Sequence, residues 1–168
     1  GWTAYPPLAT QTPLGGLLFE LAFLTFGISS ILGGMNLIAT IITQRAPGMT
    51  WGRLPIFAWS VLAASVIALT ATQWIAYGLL MIIFERIFNM VFFSPPGGNA
   101  LLYEHVFWFY SHPAVYIMIL PAFGAELEII SHFARKPIFA YRWVVWAFAL
   151  IVFLSFIVWA HHLFTSGM

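Results

Sequence analysis

Cysteine is absent from this chain and charge is scarce. Of its 168 residues only 7% are Asp, Glu, Lys or Arg, against roughly 25% in an average soluble domain. Without thiols there is no disulfide, no iron–sulfur cluster and no thiolate metal site, so any bound metal must use histidine or oxygen ligands. The net charge of +1 gives none of the clustered basic surface that nucleic-acid binders carry, and a nucleic-acid partner is set aside. A signal-peptide pattern of basic, apolar and small-residue regions is also missing. The first residue is Gly1 and the last residues follow directly on an apolar run, so the chain reads as an excerpt of a longer protein.

What is present is apolar. Hydrophobic residues make up 62% of the chain, a membrane composition. Charge-free stretches run from Leu21 to Thr43, Leu54 to Phe84, His105 to Ala125 and Trp143 to Met168, each above the roughly 18 residues that suggest a spanning helix. They are apolar all round, as lipid-embedded or fully buried helices are. The expected fold is all-α: a polytopic membrane helix bundle with four transmembrane helices, over about 16–43, 54–84, 101–131 and 140–165. Turn-rich loops separate them, and no internal repeat stands out. The first and third loops hold Arg45, Arg53, Arg135, Lys136 and Arg142, and the second holds only Arg86 near its helix end. By the positive-inside rule the first and third loops face the cytoplasm or its organellar equivalent.

Five histidines are then the place to look for chemistry, because an ionisable group inside a span costs on the order of 3 kcal/mol even on the lenient insertion scale. His112 lies in the outer third of an inward-running helix, and His161 and His162 lie near the end of an outward one. At about 1.5 Å rise per residue all three can share one depth. A single such histidine is well explained by a hydrogen bond to a neighbouring helix; the His161-His162 pair weakens that explanation. Adjacent residues diverge by about 100° on a regular helix, so both reach one metal only from different sides or through a distorted turn. One could instead ligate while the other caps the helix end. Three neutral imidazoles without thiolate or carboxylate suit copper well and zinc acceptably.

Tyr116, four residues after His112, shares its helix face, and a buried phenol must find a hydrogen-bond partner, which for an isolated tyrosine is usually a carbonyl or water. Tyr110 and Ala114 are one turn apart, so the Tyr110 ring can fill space above the small Ala114. Ser111 puts a hydroxyl next to His112, although serines in membrane helices more often bond back to a preceding carbonyl. Pro113 and Pro121 each remove a backbone donor from the same helix and invite a bend. His105 and His132 read as structural. Glu20, Glu104, Glu126 and Glu128 fall near span boundaries, where interfacial solvation satisfies them. Trp51, Trp74, Trp108 and Trp143 fit the interfacial aromatic belt.

Four stretches carry a resemblance: "GWTAYPPLA" at the start, "RAPGMT" in the first loop, "FWFYSHPAVYIMILPAFG" in the third helix and "WAHHLFTSGM" at the end. Together they resemble subunit I of the haem–copper terminal oxidases, the cytochrome c oxidases above all. The resemblance implies that all 168 residues belong to one membrane-embedded catalytic domain and cover the fourth to seventh of about twelve helices. It puts His112, His161 and His162 on the three copper ligands. Tyr116 falls on the tyrosine covalently joined to the first of these, a phenol made a better acid and radical than free tyrosine by that bond. The implied reaction is reduction of O₂ to water with electrons from cytochrome c, coupled to proton pumping, in a complex with other oxidase subunits in a lipid bilayer, most plainly the bacterial cytoplasmic membrane.

Most family members have Glu where this chain has Ala114. The pattern "YSHPAVY" is that of a subgroup in which Tyr110 and Ser111 relay protons instead. Trp2 matches a tryptophan near the haem propionates. The haem-ligating histidines are expected before Gly1 and after Met168, so this excerpt alone would bind no haem axially and would not turn over. A quinol-oxidising relative is the nearest rival. Nitric oxide reductases share the three histidines but hold iron and lack the His-Tyr pair. The rival from another class is a four-helix transporter or structural subunit whose histidines only hydrogen-bond.

Overall fold

The computed structural model describes residues 1–167; Met168, the last residue of the fourth apolar stretch, lies outside the described residues. Every regular element among the described residues is helical. A short α1 (Leu8–Gln11) precedes three long helices, α2 (Leu14–Thr43), α3 (Ile56–Phe88) and α4 (Ala100–Ala134), each long and apolar enough to cross a membrane. The fourth apolar stretch is divided. It forms α5 (Tyr141–Ser155), 15 residues long, and then a 3-10 turn over Trp159–Leu163. At about 1.5 Å per residue α5 rises roughly 22 Å, short of a 30 Å hydrocarbon core, so three helices and not four meet the length criterion by themselves.

α3 is the central element. Half of its most apolar window is buried, against 11% for α2 and for α4, which pack on either side of it. Small residues make this possible, since without a hydrophobic drive inside lipid, helices associate through close backbone approach. A Cβ added at Gly34 would stand 3.1 Å from the Ser65 carbonyl oxygen, and one at Gly124 only 2.9 Å from the Phe57 Cα and against the Ser60 hydroxyl. Gly124→Ala should therefore push α4 off α3, at about 1–3 kcal/mol for overpacking. Thermal denaturation of the solubilised parent subunit should show a lowered midpoint, whereas Gly33→Ala, where an added Cβ meets nothing within 4 Å, should leave it unchanged or slightly raised.

Several boundary residues do more than face solvent. Glu20 is 1% exposed and pairs with Arg86 at 3.6 Å, so interfacial solvation does not account for it. Arg86 also donates to the Thr12 hydroxyl (3.1 Å), the Thr12 carbonyl (2.9 Å) and the Ala9 and Pro13 carbonyls, pinning the segment before α2 to α3. Glu128 accepts from the Phe57 backbone N–H at 3.0 Å, satisfying one of the free donors at the start of α3. Tyr141 accepts from the Trp59 indole (2.9 Å) and donates to the Leu54 carbonyl, joining α5 to α3. The Asn99 side chain accepts from Leu102 N–H at 3.1 Å and so caps α4. α4 runs unbroken through Pro113 and Pro121.

Candidate metal and proton-transfer site

The site is built where α4 meets the 3-10 turn that follows α5. His112 lies a little over a third of the way along α4 and is 7% exposed. The helix that would carry His161 and His162 stops at Ser155, and both sit in the 3-10 turn. This is the distortion that two adjacent imidazoles need in order to approach one point: their ring centroids are 4.2 Å apart and their planes differ by 36°. His112 meets His161 at 4.6 Å and His162 at 5.5 Å between centroids. One ligand atom from each of the three lies within 4.8 Å of the others.

One pair of ring nitrogens is informative. His112 Nδ1 and His162 Nε2 are 3.3 Å apart. Two imidazole nitrogens bound about 2.0 Å from a common ion, at tetrahedral to trigonal angles, stand roughly 3.3–3.5 Å from each other. The donor set of three imidazoles, free of thiolate and carboxylate, fits copper. The other nitrogen of His112, Nε2, is buried and has no hydrogen-bond partner, which is costly unless something binds it. Tyr116 is beside that ring, with centroids 4.8 Å apart and planes 64° apart.

Around the ligands lies an aromatic frame that periodicity alone did not suggest. Trp108 stacks flat on His162, at 3.6 Å between centroids and 5° between planes, so it belongs to the site and not to an interfacial belt. Its indole N–H donates to the Tyr5 hydroxyl. Burial pushes the Tyr5 phenol above the usual tyrosine range, more than that donated bond lowers it, so Tyr5 stays a neutral anchor for the indole. Trp2 packs on Phe107 at 5.2 Å and edge-on to Trp108 at 5.9 Å. His105 is not merely solvated at a helix entrance, because its Nδ1 accepts from the Trp159 indole at 3.2 Å. A signal for Trp108 was present in the sequence, since it precedes His112 by one helical turn on the same face.

Tyr110 and Ser111 are both buried, 6% and 4% exposed. The Ser111 hydroxyl has no hydrogen-bond partner, in contrast to Ser60 and Ser65, which donate to the carbonyls of Phe57 and Val61. Tyr110, Ser111 and Ala114 line a cavity of about 610 Å³ bounded by α2, α3 and α4, with Trp2 also on its wall. The Ser111 hydroxyl is itself buried beneath the cavity wall, and without a partner it keeps both a proton to donate and lone pairs to accept.

The whole chain, residues 1–168, matches the family described as cytochrome c and quinol oxidase polypeptide I. Among curated relatives, cytochrome c oxidase subunit 1 of Thermostichus vulcanus is 47% identical over 99% of this chain and 31% of its own length. The proteins of the same name are 45% identical in Bacillus subtilis, over 100% of this chain and 27% of the relative, and 44% identical in Cereibacter sphaeroides, over 100% and 30%. The chain thus spans less than a third of the length of these relatives.

Proposed function

Because the chain belongs to the cytochrome c and quinol oxidase polypeptide I family, we propose that it is the copper-holding segment of a terminal oxidase catalytic subunit that reduces O₂ to water and pumps protons. One observation carries this reading above all: three imidazoles from α4 and the following 3-10 turn lie within 4.8 Å of one another, with a phenol beside the buried one. It is an integral membrane protein, with three helices of spanning length. The first and third loops, richer in Arg and Lys, are assigned to the cytoplasmic side of a bacterial membrane. The relatives named above are cytochrome c oxidases, which favours cytochrome c over quinol as the electron donor and implies other oxidase subunits as partners. Membership of the family leaves a transporter or purely structural bundle unsupported.

When bound, copper and haem supply the place where O₂ is held and most of the electrons that reduce it. The chain's own residues do the rest. His112 Nδ1, His162 Nε2 and a nitrogen of His161 would hold the copper, and the flat stack of Trp108 keeps the His162 ring from turning. Tyr116, beside His112, would lend a proton and an electron from its hydroxyl group, both to be restored by the electron donor and the proton path before the next turnover. Its ring is assigned a covalent bond to His112 Nε2, the nitrogen that otherwise lies buried without a partner. Tyr110 and Ser111 pass protons across the cavity in place of a carboxylate at Ala114. Trp2, on the same cavity wall, is assigned to the vicinity of the haem propionates. The haem ligands themselves are expected outside these residues.

Metal analysis of the intact subunit, with its haem spectrum, should find copper; iron in its place would point to nitric oxide reduction, and no metal would sink the reading. Tyr110→Phe in the intact enzyme should slow turnover on the order of a hundredfold, the low end of positioned proton-transfer effects, while leaving copper content unchanged. Unaltered turnover and pumping in that variant would remove Tyr110 from the proton path.

A further inference from the structure

We infer that His105 and Trp159 are positioning residues for copper: their hydrogen bond holds the 3-10 turn that presents His161 and His162 to His112. This rests on the copper reading given above. The Trp159 indole N–H donates to His105 Nδ1 at 3.2 Å, and Trp159 precedes the two ligands by two and three residues in the same turn. His105 lies seven residues before His112, two turns along the same helix, so both ends of the bridge belong to the elements that must meet.

The turn has few other polar ties. Among the described residues, the side-chain hydrogen bonds that join residues 156–167 to α4 are this one and the His112–His162 contact, which involves the ligands themselves. The Trp159 ring also packs edge-on to Phe109, 5.0 Å between centroids, and Phe109 in turn meets Trp74 at 4.9 Å. These edge contacts hold the depth of the turn, and the Trp108 stack fixes the plane of the His162 ring alone, so neither orients the Trp159 end of the turn as a directional hydrogen bond does. A short 3-10 segment has poor intrinsic hydrogen-bond geometry, so the directional bond from the indole sets the angle at which the neighbouring imidazoles leave the backbone. Groups that orient ligands without touching the metal commonly change metal affinity ten- to hundredfold when removed.

The test uses the intact parent oxidase, unmodified and as His105→Phe, His105→Asn and Trp159→Phe, with haem content as the measure of assembly. Copper loss to an added chelator and the nitrogen coordination of copper by X-ray absorption are read for each. His105→Phe and Trp159→Phe should each release copper about tenfold faster with haem retained, at the lower end of that range. Asparagine, whose side-chain oxygen can accept from the indole, should restore retention, and His105→Phe combined with Trp159→Phe should be no worse than either alone. Copper retention in His105→Phe equal to the unmodified enzyme, or no rescue by asparagine, overturns the inference. Absence of copper from the unmodified enzyme would instead overturn the reading on which it rests.

Discussion

His112→Ala in the intact subunit should empty the copper position and lower oxygen reduction by more than about a thousandfold, as happens when one member of a group acting as a unit is removed. The expectation follows from where His112 sits. It is the one ligand drawn from α4, it is 7% exposed, and its Nδ1 faces His162 Nε2 at 3.3 Å. Without it, the two remaining imidazoles are neighbours on one short turn and approach from one side only. Alanine is the best helix former, so α4 should persist and haem should remain bound. The check is copper relative to haem, together with the oxygen consumption rate. Copper retained at the unmodified level in His112→Ala would mean that the metal is not held by this trio.

The second large effect concerns Tyr116. Tyr116→Phe keeps the ring, and with it the packing at 4.8 Å against His112, but removes the hydroxyl. Copper should therefore stay while turnover falls on the order of a thousandfold, because the lost group donates a proton within the reacting site as well as an electron. In the unmodified enzyme, a peptide containing residues 112–116 should be lighter by two hydrogens than its sequence predicts. A new bond from His112 Nε2 to a ring carbon of Tyr116 replaces one N–H and one C–H, and the two electrons and two protons released go to the oxygen that the enzyme reduces. The buried, partnerless Nε2 is the atom with most to gain from such a bond. A peptide of unmodified mass from active enzyme would rule the link out, and full activity in Tyr116→Phe would remove the phenol from the chemistry altogether.

These effects divide along what each residue touches. Loss of His112 should remove the metal, loss of Tyr116 should spare the metal and remove the reaction, and loss of Tyr110 should spare the metal and slow turnover through proton delivery. Gly124→Ala should weaken the bundle, because it acts on the α3–α4 contact and not on the site. Measuring copper, haem and turnover on the same preparations therefore separates these mechanisms.

Much of this was determined by the sequence alone. Hydrophobicity adds residue by residue, so the long apolar stretches declared an all-helical membrane bundle without knowledge of any contact. Helical periodicity is equally local, so placing Tyr116 one turn after His112 needed only their spacing, whereas Trp108, at the same spacing before it, reads in the sequence as a residue of the interfacial belt. The scarcity of thiols and charges restricted any metal to imidazole, and four short stretches carried the family likeness. Tertiary structure decided what depends on residues far apart in the chain. It broke the fourth stretch at Ser155 and set His161 and His162 in a 3-10 turn, a change of backbone no apolar run announces. It laid Trp108 on His162, bound Trp159 to His105 and buried Glu20 against Arg86. Each of these joins residues some 50 or more positions apart, and their meeting is a property of surfaces in contact and not of any single segment.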